Sequence, residues 1–168
     1  MEAVESVNGV NSILDIGAGF GKYGIFLRER YDVRFKRVHP STWRTRIDCV
    51  EIWKPYISAI HAVVYDNIFV KDIFKFCKQL ESYDVILMIE CLEHMPKWKG
   101  KKVLRALSER ANKLLIVSFP THFKGGENKD WDNPYEEHRC LWTKDELDST
   151  IGTTVQLGST LFKKEFNV

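Results

Sequence analysis

Short apolar runs alternate along most of this chain with stretches in which apolar residues recur every third or fourth position. Ser12 to Ile16, Ile47 to Glu51, Asn67 to Val70, Asp84 to Ile89 and Leu114 to Phe119 are rich in β-branched and aliphatic residues. Runs of that length with little polar interruption predict strands; Ile13, Leu14 and Ile16 suit a central parallel strand, and Asp84 to Ile89 is apolar enough to be buried on both faces. Helical spacing predicts helices between them: Gly21 to Arg30, with Tyr23, Phe26 and Leu27 as its apolar stripe, then Pro55 to Ala62, Phe74 to Leu80 and Lys99 to Ala111. This alternation predicts parallel βαβ units and a sheet covered on both faces. After Phe119 the pattern stops at Pro120, and a long aperiodic segment runs to Trp142. Thr143 and Glu146 then have capping-box spacing, which predicts a last helix. The remainder, Thr153 to Val168, divides around Gly158 to Thr160 into two short strands, an antiparallel pair at one edge.

Right-handed crossovers put the C-terminal ends of parallel strands on one rim, so ligand-contacting residues belong there. The first strand runs into ILDIGAGFGKYG, Ile13 to Gly24, whose four glycines leave the backbone bare enough for a ligand to approach. Two templates fit. Gly19, Gly21 and Gly24 spell G-x-G-x-x-G, the dinucleotide fingerprint, although Asp15, Gly17 and Ala18 stand between the strand and its first glycine. Asp15, Gly17, Gly19 and Gly21 make D-x-G-x-G-x-G instead, and Asp15 alone would also suit a turn cap. At the end of the second strand, Glu51 offers two acceptor oxygens that can take both hydroxyls of a ribose. Asp72, after the third strand, either meets a ligand or caps the next helix.

With 168 residues, a single domain over 1–168 is expected. Its 25 basic and 23 acidic side chains leave no global field directing it to nucleic acid or anionic membrane. No apolar run approaches a membrane span, and the N-terminal residues are too polar for a signal peptide, so a cytoplasmic location is expected. Cys49, Cys77, Cys91 and Cys140 are scattered, which predicts reduced thiols. Cys91 and His94 have C-x-x-H spacing, but a second tight ligand pair is missing, and no metal site is expected. Arg34, Lys36, Arg37, His39, Arg44 and Arg46, interleaved with Phe35 and Trp43, lengthen the connection before the second strand. Alone they would read as a nucleic-acid patch, but topology puts them on the rim opposite the glycines, as a solvated insertion or partner surface.

The D-x-G-x-G-x-G loop is followed in order by Glu51, Asp72 and YDVILMIECLEHMP, Tyr83 to Pro96, with Asp84, Glu93 and His94. Together these resemble class I S-adenosylmethionine (SAM) dependent methyltransferases. The likeness runs from Ile13 to about Phe119, and more loosely over HRCLWTKDEL, His138 to Leu147. It implies a Rossmann-like three-layer α/β/α sandwich, with a mostly parallel seven-stranded sheet and an antiparallel C-terminal strand pair. It also implies SAM as cofactor, with Asp15, Gly17, Ala18, Gly19 and Gly21 at its amino-acid end. Glu51 and Ile52, Asp72 and Ile73, and Ile89 and Glu90 complete that site, Glu51 at the ribose and Asp72 at the adenine amino group. SAM's sulfonium already makes the methyl electrophilic, so the protein's task is alignment. A base is needed only for a protonated acceptor, and His94, His122 and His138 are candidates because an unperturbed imidazole titrates near neutrality, although the resemblance favours a turn-shaping role for His94. The segment from Pro120, with His122, Phe123, Trp131, Tyr135 and Trp142 and hinges at Gly125 and Gly126, reads as a lid for the acceptor. Ile89 to Leu92 replaces the N-P-P-Y tetrad of adenine-amino methylation, and a small-molecule acceptor is expected, with nucleic acid or protein acceptors left open. The alternatives are a SAM-binding partner subunit without catalysis and an NAD-type binding module.

Overall fold

The computed structural model describes residues 9–122 and 132–166. Five strands, β1 (Ser12–Ile16), β2 (Arg46–Glu51), β3 (Asn67–Val70), β4 (Tyr83–Ile89) and β5 (Ala111–Ser118), run parallel, and β6 (Val155–Leu157) and β7 (Leu161–Glu165) close one edge antiparallel. The sheet order is β3-β2-β1-β4-β5-β7-β6. Among the described residues the helices are α1 (Lys22–Tyr31), α2 (Ala59–Val64), α3 (Ile73–Phe76), α4 (Lys97–Ser108) and α5 (Lys144–Ile151), with short 3-10 turns between. This is the Rossmann-like sandwich expected from the strand-helix alternation.

Alternate strand residues feed two cores, as the double burial of parallel strands requires. Leu14, Ile16, Ile86, Met88, Leu115 and Val117 face Val103, Leu104 and Leu107 of α4 and Leu147 of α5. Ile13, Ile47, Val85, Leu87 and Ile116 face Leu27 of α1 and Val64 of α2. Of the described helices, none is long and apolar enough to cross a membrane.

The inner face of α1 differs from the expected stripe. Gly24, Leu27 and Arg28 are buried, whereas Phe26 is 43% exposed. Arg28 is tolerated there because its guanidinium meets Asp32 at 2.7 Å, Asp66 at 3.0 Å and the carbonyls of Thr45 and Val64, with the Trp43 ring stacked 3.7 Å away. The insertion before β2 does lie opposite the glycine loop, since Arg46 pairs with Ser12 at the start of β1. It is anchored rather than simply solvated: buried Asp32 accepts from Arg28, from Arg37 at 2.8 Å and from the Arg44 backbone at 2.9 Å. Arg34, Phe35, Lys36 and Val38 remain exposed. The helix expected from Pro55 begins later, because Ser58 caps α2 and Pro55 sits in a 3-10 turn. The helix expected over Lys99 to Ala111 spans Lys97–Ser108, and Ala111 already opens β5.

Candidate active site

The loops leaving β1 to β4 surround a cleft at the C-terminal rim, whose wall includes Gly17, Gly19, Glu51, Ile52, Asp72, Ile73, Glu90 and His94. The glycine loop is pinned to β2. Gly17 donates its N–H to the Val50 carbonyl at 2.9 Å, and Gly19 donates to Glu51 Oε2 at 2.9 Å. The other oxygen of Glu51 accepts from Trp53 N–H at 2.7 Å. Burial raises the Glu51 pKa, and these backbone donors oppose the rise. The Ile52 N–H is a third backbone donor, and the acceptor capacity that remains faces the cleft.

Behind the loop stand His61 and Tyr65, which sequence reasoning missed. His61 Nδ1 accepts from Ser58 N–H at 3.2 Å, so Nε2 carries the proton and donates to the Gly19 carbonyl at 3.0 Å. Burial lowers its pKa and keeps the ring neutral. Ser58 followed at the third helical position by His61 is a capping box, the one local signal that marks it. Tyr65 donates its hydroxyl to Asp15 Oδ2 at 2.5 Å and accepts from Gly24 N–H at 3.0 Å. Asp15 therefore lies beneath the loop and is not on the cleft wall; Ala18, Gly21 and Ile89 are also absent from the wall. Desolvation pushes the Asp15 pKa to about 6, Tyr65's hydrogen bond lowers it and Glu51's charge adds to the rise.

Asp72 fills both roles weighed for it: it lies on the wall and its Oδ1 caps α3 through Phe74 N–H at 2.9 Å. Glu90 sits in the left-handed region at φ 47°, held by a hydrogen bond from the Ser118 hydroxyl at 2.6 Å. A non-glycine residue in that region is a strained position of the kind that clusters at functional sites.

Of the three histidines, His94 alone is on the wall. His122 is exposed, while His138 packs against His94 with ring centroids 5.0 Å apart. The pairing is made by the backbone, because Arg139 N–H donates to the Glu93 carbonyl at 2.9 Å. Glu93 is 1% exposed, its Oε2 has no hydrogen-bond partner among the described residues, and desolvation first, then Glu90 and Glu136, push its pKa to about 8. One ligand-type atom from each of Glu93, His94 and His138 lies within 4.8 Å of the others. This grouping differs from the C-x-x-H pairing of Cys91 with His94, since the Cys91 side chain packs against Gly17. All four cysteines are free.

Part of the expected lid does line the cleft. Asn133, Tyr135 and Glu136 are on its wall, and Tyr56 donates to Glu136 at 2.9 Å. Phe123, Gly125, Gly126 and Trp131 lie outside the described residues. Trp142 is not a lid residue: it is 1% exposed and packs on Phe119, over Gly100, where a Cβ would come within 2.6 Å of its ring. Lys97 is likewise drawn away from the cleft, paired with Glu146 at 2.7 Å.

The fold is shared with solved structures of low sequence identity. A magnesium protoporphyrin IX methyltransferase from Synechocystis PCC 6803 with bound SAH, the demethylated product of SAM, superposes with a TM-score of 0.70 at 14% identity, over 98% of this chain and 78% of that one. An amino pentose methyltransferase from Micromonospora echinaspora with bound SAM gives 0.64 at 12% identity, over 98% and 86%. A SAM-dependent methyltransferase from Archaeoglobus fulgidus gives 0.57 at 15% identity, over 83% and 59%. No curated protein matches the sequence. A family model described as a methyltransferase domain matches residues 3–151, and the chain belongs to that family.

Proposed function

We propose that this chain, as one domain in the cytoplasm, transfers the methyl group of SAM to a small-molecule acceptor. The observation that carries the reading is Glu51: a carboxylate on the cleft wall, oriented by Gly19 on one oxygen and by Trp53 on the other. An acceptor-only group held in this way at a strand end suits the hydroxyls of a ribose. Gly17 and Gly19 then leave room for the amino-acid end of SAM, with Asp15 stiffening the loop from below through Tyr65. Asp72, on the wall beside Ile52 and Ile73, would accept from the adenine amino group. The structural relatives with bound SAM and SAH support this choice of cofactor.

SAM supplies an electrophilic methyl, and the protein's residues hold the acceptor in line with it and exclude water. His94 and Glu136 face the space where the acceptor would stand, and Tyr135 closes one side.

Calorimetric titration with SAH tests the reading, with micromolar affinity expected. Glu51→Ala should weaken binding by about 1–3 kcal/mol, because two hydroxyls lose a charged acceptor. Wild-type affinity in that variant, or no SAH binding by the folded protein, would reject it.

A further inference from the structure

We propose that Glu93, His94 and His138 form a divalent-metal site whose open side faces the acceptor. The three side chains come from two places in the chain, the turn after β4 and the segment before α5, and the backbone brings them together. Arg139 and Cys140 both donate N–H groups to the Glu93 carbonyl, at 2.9 and 3.3 Å, so His138 is delivered directly beside His94.

The tautomer of His94 suits ligation. Its Nδ1 lies 3.3 Å from the Glu137 carbonyl, which can only accept, so Nδ1 carries the proton and Nε2 presents a lone pair. That Nε2 faces the carboxylates, 3.9 Å from Glu93 Oε1 and 4.0 Å from Glu136 Oε2. A carbonyl fixing the far nitrogen is the usual outer support of a metal-bound imidazole.

Glu93 gives an independent indication. Its carboxylate is 1% exposed, with Oε2 unpartnered, and among the described residues no lysine or arginine pairs with it. Glu90 and Glu136 add negative charge nearby. The carboxyl accepts from its own backbone N–H, which leaves Oε2 without a partner among the described residues, and a cation taking the place of the carboxyl proton would satisfy it. Two imidazoles and one carboxylate suit zinc or a similar first-row ion better than magnesium, which favours oxygen ligands. Ligand atoms about 2.1 Å from one tetrahedral ion stand roughly 3.4 Å apart. The present limit of 4.8 Å thus asks for side-chain adjustments of about an ångström.

His94, Glu90 and Glu136 lie on the cleft wall, so the fourth coordination position opens to the acceptor. Resting on the SAM reading, this assigns the acceptor as a hydroxyl compound. The metal lowers the hydroxyl pKa and the proton leaves to solvent. The oxygen's electron pair forms the new O–CH3 bond, the S–CH3 bond breaks, and sulfur keeps that pair as SAH. His94 then acts as a metal ligand rather than a free base.

The test is zinc titration of the chelator-treated full chain, read by calorimetry and by metal content after gel filtration. Wild type should hold one zinc per chain. Glu93→Gln and His138→Ala should each weaken zinc binding tenfold or more, while His39→Ala, exposed on the insertion, should not. Circular dichroism confirms that each variant is folded, and the two single variants cover for one another should either unfold. SAH affinity, measured on the same samples without metal, should be unchanged. Unaltered zinc stoichiometry in a folded Glu93→Gln/His138→Ala double variant, or no zinc uptake by wild type, would overturn the site. Zinc bound normally with no SAH binding would instead reject the cofactor reading and the hydroxyl acceptor that rests on it.

Discussion

Asp15 shows how one buried carboxyl makes stability depend on pH. Its pKa rises from 3.8 to about 6 on folding, so between those values the folded chain holds a proton that the unfolded chain has lost. Its contribution is fully present below pH 4 and is lost as pH rises through 6, a change of about 3 kcal/mol at most. The groups that act on it are Tyr65, through its hydrogen bond, and Glu51, through its charge. Asp15→Asn keeps an acceptor for Tyr65 but cannot titrate. Urea unfolding from pH 4 to 7 should therefore show a stability difference between variant and wild type that shifts in the variant's favour by up to that amount. Parallel curves would mean that the carboxyl is not held protonated. Gly24 offers a second test at this scale. Alanine normally stabilises a helix relative to glycine by about 1 kcal/mol. Here its Cβ would stand 2.4 Å from the Tyr65 ring, so Gly24→Ala should cost about 1–3 kcal/mol. A raised Tm in that variant would contradict the packing.

Among the elements, the strands were the most legible, because five apolar runs of the right length can hardly be anything else in an alternating chain. The capping box at Thr143 and Glu146 was also local information, and α5 begins there. Helix faces were less legible. In α1, Phe26 is the more hydrophobic residue, yet Arg28 turns inward because three carbonyl and carboxylate partners wait for it from elements distant in sequence. That anchor ties α1 to the insertion and to α2. Arg28→Met should destabilise the protein by about 3–5 kcal/mol, since Asp32 and the Thr45 and Val64 carbonyls lose a buried partner. Denaturant melts would measure it. A loss below about 1 kcal/mol would place the guanidinium in solvent.

At the scale of the whole molecule, the cleft is a property of topology. The rim was foreseeable from right-handed crossovers, and Gly17, Glu51 and Asp72 follow from being strand-end residues. The hidden parts are those whose partners meet only in three dimensions: Tyr65 bridging Asp15 to Gly24, His61 under Gly19, and His138 against His94. These supports join the loops after β1, β2 and β4 with the segment before α5, so a ligand filling the cleft should stabilise the whole chain. SAH at 100 times its dissociation constant should add about 2.7 kcal/mol. For a chain of this size that corresponds to a rise in Tm of roughly 5–11 °C. In a thermal scan the rise should grow with the logarithm of SAH concentration, and Glu51→Ala should displace the curve to higher ligand. NAD, which shares the ribose but needs a phosphate seat at the start of α1, should give no comparable rise. An NAD response equal to that of SAH would return the glycine loop to the dinucleotide template.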